Sequence, residues 1–187
     1  AMPGWRLQAQ ICPPTRCASH HSGVAKARNF QEAFDMQRVT VSAVYYGDAD
    51  EIFTAALNFD EMRAAMKGLA TYDGVPDGMV VEVGKPVIVD VTFWGIIKAK
   101  GHRMEVVEMD HDGRWLQSRE QGGAIRHWDH RLSVQPQPDG TVLWTDDVRI
   151  DAGLQTWFMA RFAQYLYRRR HKHRQAISIT GQIEKLR

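Results

Sequence analysis

An imidazole and a carboxylate stand where a hairpin can bring them together. Over 124–134, strand alternation puts Trp128, His130, Leu132 and Val134 on one face. Over 141–150 it puts Trp144, Asp146, Val148 and Ile150 on one face. A turn near 137–140 then sets His130 beside Asp146 or Val148 on the neighbouring strand. A carboxylate next to a histidine favours the imidazolium and fixes the tautomer. Such a pair can anchor a ligand carbonyl or hydroxyl, or move a proton as general acid and base. It can also be a self-satisfied buried pair that holds the hairpin in register. All three readings stay open at this level.

Other chemistries find little support. Ser118 and Ser133 stand in no G-x-S-x-G context, and neither cysteine lies in the patterned part of the chain. Cys12, Cys17, His20 and His21 form C-x4-C-x2-H-H, a spacing that fits no standard zinc site, so no metal is expected. No G-x-G-x-x-G, Walker loop, H-E-x-x-H or C-x-x-C occurs, and no cofactor is expected.

The elements that must position the pair follow from periodicity. Residues 39–46 alternate as a strand, ended by Gly47-Asp48. Asp48 with Glu51 reads as a capping box for a short helix carrying Ile52, Phe53, Ala56 and Leu57 on one side. Asp60 is placed to cap a second short helix, 61–67, stopped by Gly68. Residues 72–78 are turn-rich. Strands are then expected at 79–83, 87–97, 102–109, 115–120, 124–134 and 141–150. In 87–97 the apolar row Val87, Val89, Val91 and Phe93 is the expected inner face, leaving Trp94 and Ile96 outside as a possible dimer surface. Met104 and His102 are candidates to look inward, as is one of Glu105 and Glu108. From near Leu154 the period becomes three and four, predicting a helix of about twenty residues. Its aromatic stripe, Trp157, Phe158, Phe162 and Tyr165, is expected to face the sheet. A bent antiparallel sheet wrapped on that helix can leave a cavity, which Trp128, Trp144, Met104, Val148, Trp157, Phe158, Phe162 and Tyr165 would line.

Composition bounds the rest. The chain has 187 residues, 44% hydrophobic and 25% charged, with a net charge of +2. That suits one ordinary globular domain and excludes a global polyanion binder. No run approaches the ~18 apolar residues of a membrane span. The first thirty-five residues lack a sustained period and read as an arm, 1–35, ahead of a folded domain, 36–178, and a polar tail, 179–187. Met36 sits just before the first clear strand and is a candidate natural start. The arm has no apolar core of the secretory type, so a cytoplasmic location is expected. The run 161–174 holds six Lys or Arg and no acid. It complements the helix dipole, and Arg168, Arg169 and Arg170 offer a weak contact to an anionic membrane or acidic partner. Nucleic acid is not favoured, because no aromatic-and-basic sheet face is evident.

Three strings resemble one superfamily. VSAVYYGDADEIF (41–53) resembles a first strand, turn and capped helix; IRHWDHRLSV (125–134) resembles a strand carrying W-x-H; DGTVLWTDDVRI (139–150) resembles a last strand. Together with the element order they resemble the START/polyketide-cyclase-like superfamily (SRPBCC), over about 36–178. The resemblance implies an α+β helix-grip fold: a curved antiparallel sheet of about six or seven strands, two short helices after the first strand, and a long C-terminal helix. It implies a cavity for a small hydrophobic molecule such as a lipid, polyketide or aromatic. Enzyme activity of cyclase, aromatase or hydrolase type, with His130 and Asp146 as the acid–base pair, is the alternative. An interaction module with a filled interior is the third reading, since fold alone does not fix function.

Overall fold

The computed structural model describes residues 8–12, 36–123 and 125–185, with side chains over 36–123 and 125–176. Strand β1 (Gln8–Cys12) lies at the edge of an eight-stranded antiparallel sheet, beside β2 (Gln37–Tyr45). The arm expected at 1–35 thus contributes a strand; Cys17, His20 and His21 lie outside the described residues. Helices α1 (Ala49–Leu57) and α2 (Phe59–Ala65) follow β2. The sheet continues with β3 (Ala70–Asp73), β4 (Val87–Phe93), β5 (Ile97–Asp110), β6 (Trp115–Gly122), β7 (Ile125–Pro136) and β8 (Val142–Asp151). Its order is β1-β2-β8-β7-β6-β5-β4-β3. A 3-10 turn leads into α3 (Thr156–Lys185). This is the expected α+β helix-grip architecture.

Local chemistry sets the boundaries. Asp48 accepts from Asp50 N and Glu51 N at 2.9 and 3.0 Å, satisfying free amides of the first turn of α1. Asn58, and not Asp60, caps α2, accepting from Asp60 N at 2.8 Å. Asp60 instead accepts from Gly78 N and pairs with Arg63. Residues 79–83, expected as a strand, make only the isolated bridges Asn58–Val80 and Val83–Val106. The strand there is β3, inside a stretch whose turn residues masked it. The expected strand 87–97 breaks at 94–96, where Trp94 and Gly95 take positive φ and reverse the chain into β5. Helix α3 runs past the expected tail boundary, because nothing between 174 and 185 breaks it.

Alternation holds in the middle of the sheet. In β2 and β8 every second side chain is buried. Three apolar clusters result. One lies under α1, built on Trp144, Leu132 and Phe53. A second lies under α3, where Ala160 and Ala163 meet Val39, Val41, Val148 and Ile150. The third sits at the β3–β4 edge, with Val89, Val91, Met66 and Leu69. Register shifts in β5 and at the end of β6 bend the sheet so that its inner face curls towards the helices.

Candidate functional site: a cavity between two imidazole–carboxylate pairs

The β7–β8 register sets His130 opposite Val148 and Leu132 opposite Asp146. His130 and Asp146 therefore meet on the diagonal, with Nε2 2.7 Å from Oδ1. The carboxylate is fully buried. Its other oxygen lies 2.9 Å from His171 Nε2 on α3, off the direct N–H line, so that contact is electrostatic and not an aligned hydrogen bond. The Nδ1 of His171 is 2.7 Å from the Tyr45 hydroxyl. Burial drives the Asp146 carboxyl up, but the hydrogen bond from His130 and the close imidazoles of His130 and His171 outweigh it and hold the group well below the usual carboxylate range. Burial first, and Asp146 second, push the Tyr45 hydroxyl far above its ordinary value, so it stays protonated.

Arg170 closes this layer. Its Nε and Nη2 donate to Glu61 Oε2 at 2.9 and 2.8 Å, and Nη2 also donates to Ala56 O at 3.1 Å. The guanidinium sits 4.7 Å from the Trp144 ring centre. Burial alone would lower its pKa; Glu61 and then Asp146 reverse that and raise it. This salt bridge ties α3 to the α1–α2 pair.

Beside the layer is a cavity of about 100 Å³. Leu57, Phe59 and Met62 wall it from the helices, and Met104, Val106, Leu116 and Leu132 from the sheet. Lys85 and Asn58 also line it. Among its polar lining residues are His130, Tyr167 and Glu120. His130 lines it, and with Nε2 engaged by Asp146 its Nδ1 has no hydrogen-bond partner among the described residues. Tyr167 lines it, its ring 4.8 Å from that of His130 and its oxygen 3.4 Å from Trp128 Nε1. Glu120 lines it with Oε2 2.9 Å from His102 Nε2. The two imidazole–carboxylate pairs are reversed. One presents the imidazole to the space, with its acid behind; the other presents the acid, with its imidazole behind. Ser118, opposite His130 in the register, and Glu105 also line the cavity.

The expected indole-lined container is not what forms. Trp128, Trp144 and Val148 are buried but are core, not cavity wall. Of the expected apolar lining residues, only Met104 reaches the space. Trp157, Phe158 and Tyr165 are exposed, and Phe162 packs on Phe93 and Trp94 at the far edge. The physical reason is register along α3. Its inward face is Ala160, Ala163, Gln164, Tyr167, Arg170 and His171, small where the backbone lies on β2 and β8 and polar where partners await. The basic run is also engaged internally: Arg169 donates to Ala65 O and Lys67 O, and Arg170 is buried, leaving only Arg168 of the expected trio exposed. Sequence reasoning missed Tyr167, Arg170, His171, Glu61 and Glu120. Arg170-His171 lies i+3 and i+4 from Tyr167, a spacing that marks one helix face, but its polarity pointed the wrong way. Among the described residues no set of three His, Cys, Asp or Glu is arranged to hold a metal ion, and no helix is long and apolar enough to cross a membrane.

The fold is a helix-grip fold, the architecture that the sequence resemblance implied. No family model matches the chain, and no curated protein matches it in sequence. Solved structures share the architecture, two of them as follows. The protein TTHA0849 from Thermus thermophilus superposes with a TM-score of 0.57 at 9% identity, covering 77% of this chain and 98% of that one. A point mutant of norcoclaurine synthase from Thalictrum flavum, in complex with a transition state analogue, superposes with a TM-score of 0.58 at 12% identity, covering 79% and 96%. At such identities the likeness is one of fold.

Proposed function

We propose that the chain binds a small, largely apolar molecule in this cavity, with the molecule's polar group held at His130 and Tyr167. The observation that carries the reading is the His130 Nδ1, without a hydrogen-bond partner among the described residues, in the wall of a largely apolar space. In the tautomer that donates from Nε2 to Asp146, Nδ1 is an acceptor. Tyr167 has a hydroxyl proton to give. A ligand hydroxyl or carbonyl would complete both. Size narrows the ligand class. A water occupies about 30 Å³ and a dry cavity of about 150 Å³ takes benzene, so this space, at about 100 Å³, sets an upper bound near a single ring; a long lipid would need α1 and α2 to move. The test is calorimetric titration with ring-sized probes such as phenol and toluene. Binding that is lost when the space is filled from its wall by Val87→Trp supports the reading. Failure of every probe to bind, with the fold intact, removes it.

A second reading has its own observation, the buried Asp146 behind His130. A proton taken from a ligand O–H or acidic C–H at Nδ1 would leave an imidazolium that Asp146, already ionised, stabilises without moving. Glu120, across the same wall, would be a second proton acceptor. Norcoclaurine synthase, by its name, is a catalyst on this fold. Turnover of candidate polyketides or phenolic carbonyl compounds with a histidine-like limb in the pH–rate profile, abolished in His130→Ala, supports catalysis. Ligand binding with no turnover leaves the chain a binding protein.

A further inference from the structure

Several of the most exposed large apolar side chains lie together. Trp157 is 66% exposed, Phe158 61%, Trp94 53% and Ile96 78%. They form one band. Phe162 is in ring contact with Phe93 and Trp94 at 5.1 and 5.9 Å, joining the β4–β5 turn to α3. Phe158 is one helical turn before Phe162, and Leu154, also exposed, lies in the 3-10 turn Gly153–Gln155 ahead of the helix. Trp94 holds φ 51°, a conformation that bulky side chains avoid, in the turn that leaves its indole outside. Such a cluster is larger than the single exposed leucines every surface carries.

Its charge is mainly basic; the acid that reaches it is Asp90, which accepts from Gly101 N at 2.7 Å. Three segments border the band: 67–71, whose Leu69 O accepts from Trp94 N at 2.8 Å, then 93–104 and 152–174. None contains an Asp or Glu, and they contribute exposed Lys67, Lys98, Lys100, Arg161 and Arg168. Arg161 lies over the Trp157 ring at 5.4 Å. We propose that this face, the β4–β5 turn with the first half of α3, docks on an anionic lipid surface. Indoles settle at the boundary between headgroups and acyl chains, and lysines beside them meet the negative surface potential. A two-fold pairing with a second copy would set the same cations against themselves. A protruding turn with a helix also suits a deformable surface better than a fixed groove. The proposal does not depend on what the cavity binds.

The test uses the full chain and sonicated vesicles, with sedimentation and tryptophan emission as readouts. Vesicles of phosphatidylcholine with phosphatidylglycerol are expected to bind and to shift emission to the blue; phosphatidylcholine alone is expected to bind far less. Trp157→Ser with Phe158→Ser, and separately Lys98→Glu with Lys100→Glu, should each weaken binding about tenfold or more while leaving thermal unfolding unchanged. Absence of binding to the anionic vesicles overturns the proposal, as does binding that neither double variant reduces. A solution dimer dissolved by the Trp157/Phe158 variant would assign the face to a second copy. Capture of polyglutamate without vesicle binding would assign it to an acidic protein. Either result also overturns it.

Discussion

The two halves of α3 invert the usual rule. Towards the N-terminus the large apolar side chains, Trp157, Phe158 and Tyr165, point outwards. The face turned to the sheet there is Ala160 and Ala163. Towards the C-terminus the inward residues are Arg170 and His171. The first half packs by closeness: small side chains let the helix backbone lie on the valines of β2 and β8. The second half packs by reach. Long polar side chains cross to partners that other elements supply, namely Glu61 on α2, Asp146 on β8 and Tyr45 on β2. A helix face is thus defined by what waits opposite it, and hydrophobicity along the helix reports this only when the sheet is uniformly apolar.

The sharpest way to break this comparison is to remove one charge from the buried half. Asp146→Ala leaves His130 Nε2 without its acceptor and His171 Nε2 without the carboxylate beside it. Arg170→Met leaves Glu61, one of whose oxygens already lacks a partner, without its cation. Each should cost about 3–5 kcal/mol in urea unfolding: the first leaves two buried imidazoles without the carboxylate that compensates them, and the second leaves a lone buried charge. Arg170→Met combined with Glu61→Leu should recover most of that loss. A double variant as unstable as the sum of its parts would show that the pair does more than neutralise itself.

The next largest effect is on acid stability. The Asp146 carboxyl is held below its ordinary value in the folded chain, so the folded state binds fewer protons there than the unfolded state. Its contribution is whole above the unfolded carboxylate value of about 4 and drains away as pH falls towards the folded value. Unfolding free energy measured from pH 6 to pH 2 should therefore drop, and Asp146→Asn should flatten the part of that drop that this residue causes. An unchanged slope in the variant would locate acid sensitivity elsewhere.

How much of this was written in the sequence differs by element. The His130–Asp146 contact followed from strand alternation and one turn, because a period of two leaves few choices. The inner row of β4 followed for the same reason: Val89 and Val91 are buried, whereas Ile88 and Trp94 are exposed. The helix misled because its stripe of aromatics and its stripe of small and polar residues are both regular at 3.6. Only the location of Glu61 and Asp146 decides between them, and those positions are far away in the chain. The cavity was misjudged with it. Trp144, expected as its wall, is instead the flat base on which Arg170 lies. Glu120 escaped notice because a lone glutamate in a polar strand looks like a solvated one until His102 is placed beside it.

A smaller step into the buried half is Tyr45→Phe. It removes one hydroxyl, 2.7 Å from His171 Nδ1, and keeps the ring that packs against Trp144. The loss should be about 1–2 kcal/mol, a buried hydrogen bond with one partner left unsatisfied. A larger loss would mean that His171 depends on Tyr45 for its orientation towards Asp146.

The smallest effect belongs to the other half of the helix. Trp157→Ala removes the bulkiest side chain of α3, and large-to-small changes of a buried tryptophan cost about 3–5 kcal/mol. Here the side chain is mostly in water, and its recorded ring partner is Arg161 at 5.4 Å. Alanine is also the better helix former. The expected change in unfolding free energy is within about 0.5 kcal/mol of zero. Thermal unfolding of Trp157→Ala and Arg170→Met, run side by side, is therefore the most direct check. If the tryptophan variant proved the less stable of the two, the aromatic stripe would be core after all, and the inversion between the halves of α3 would be wrong.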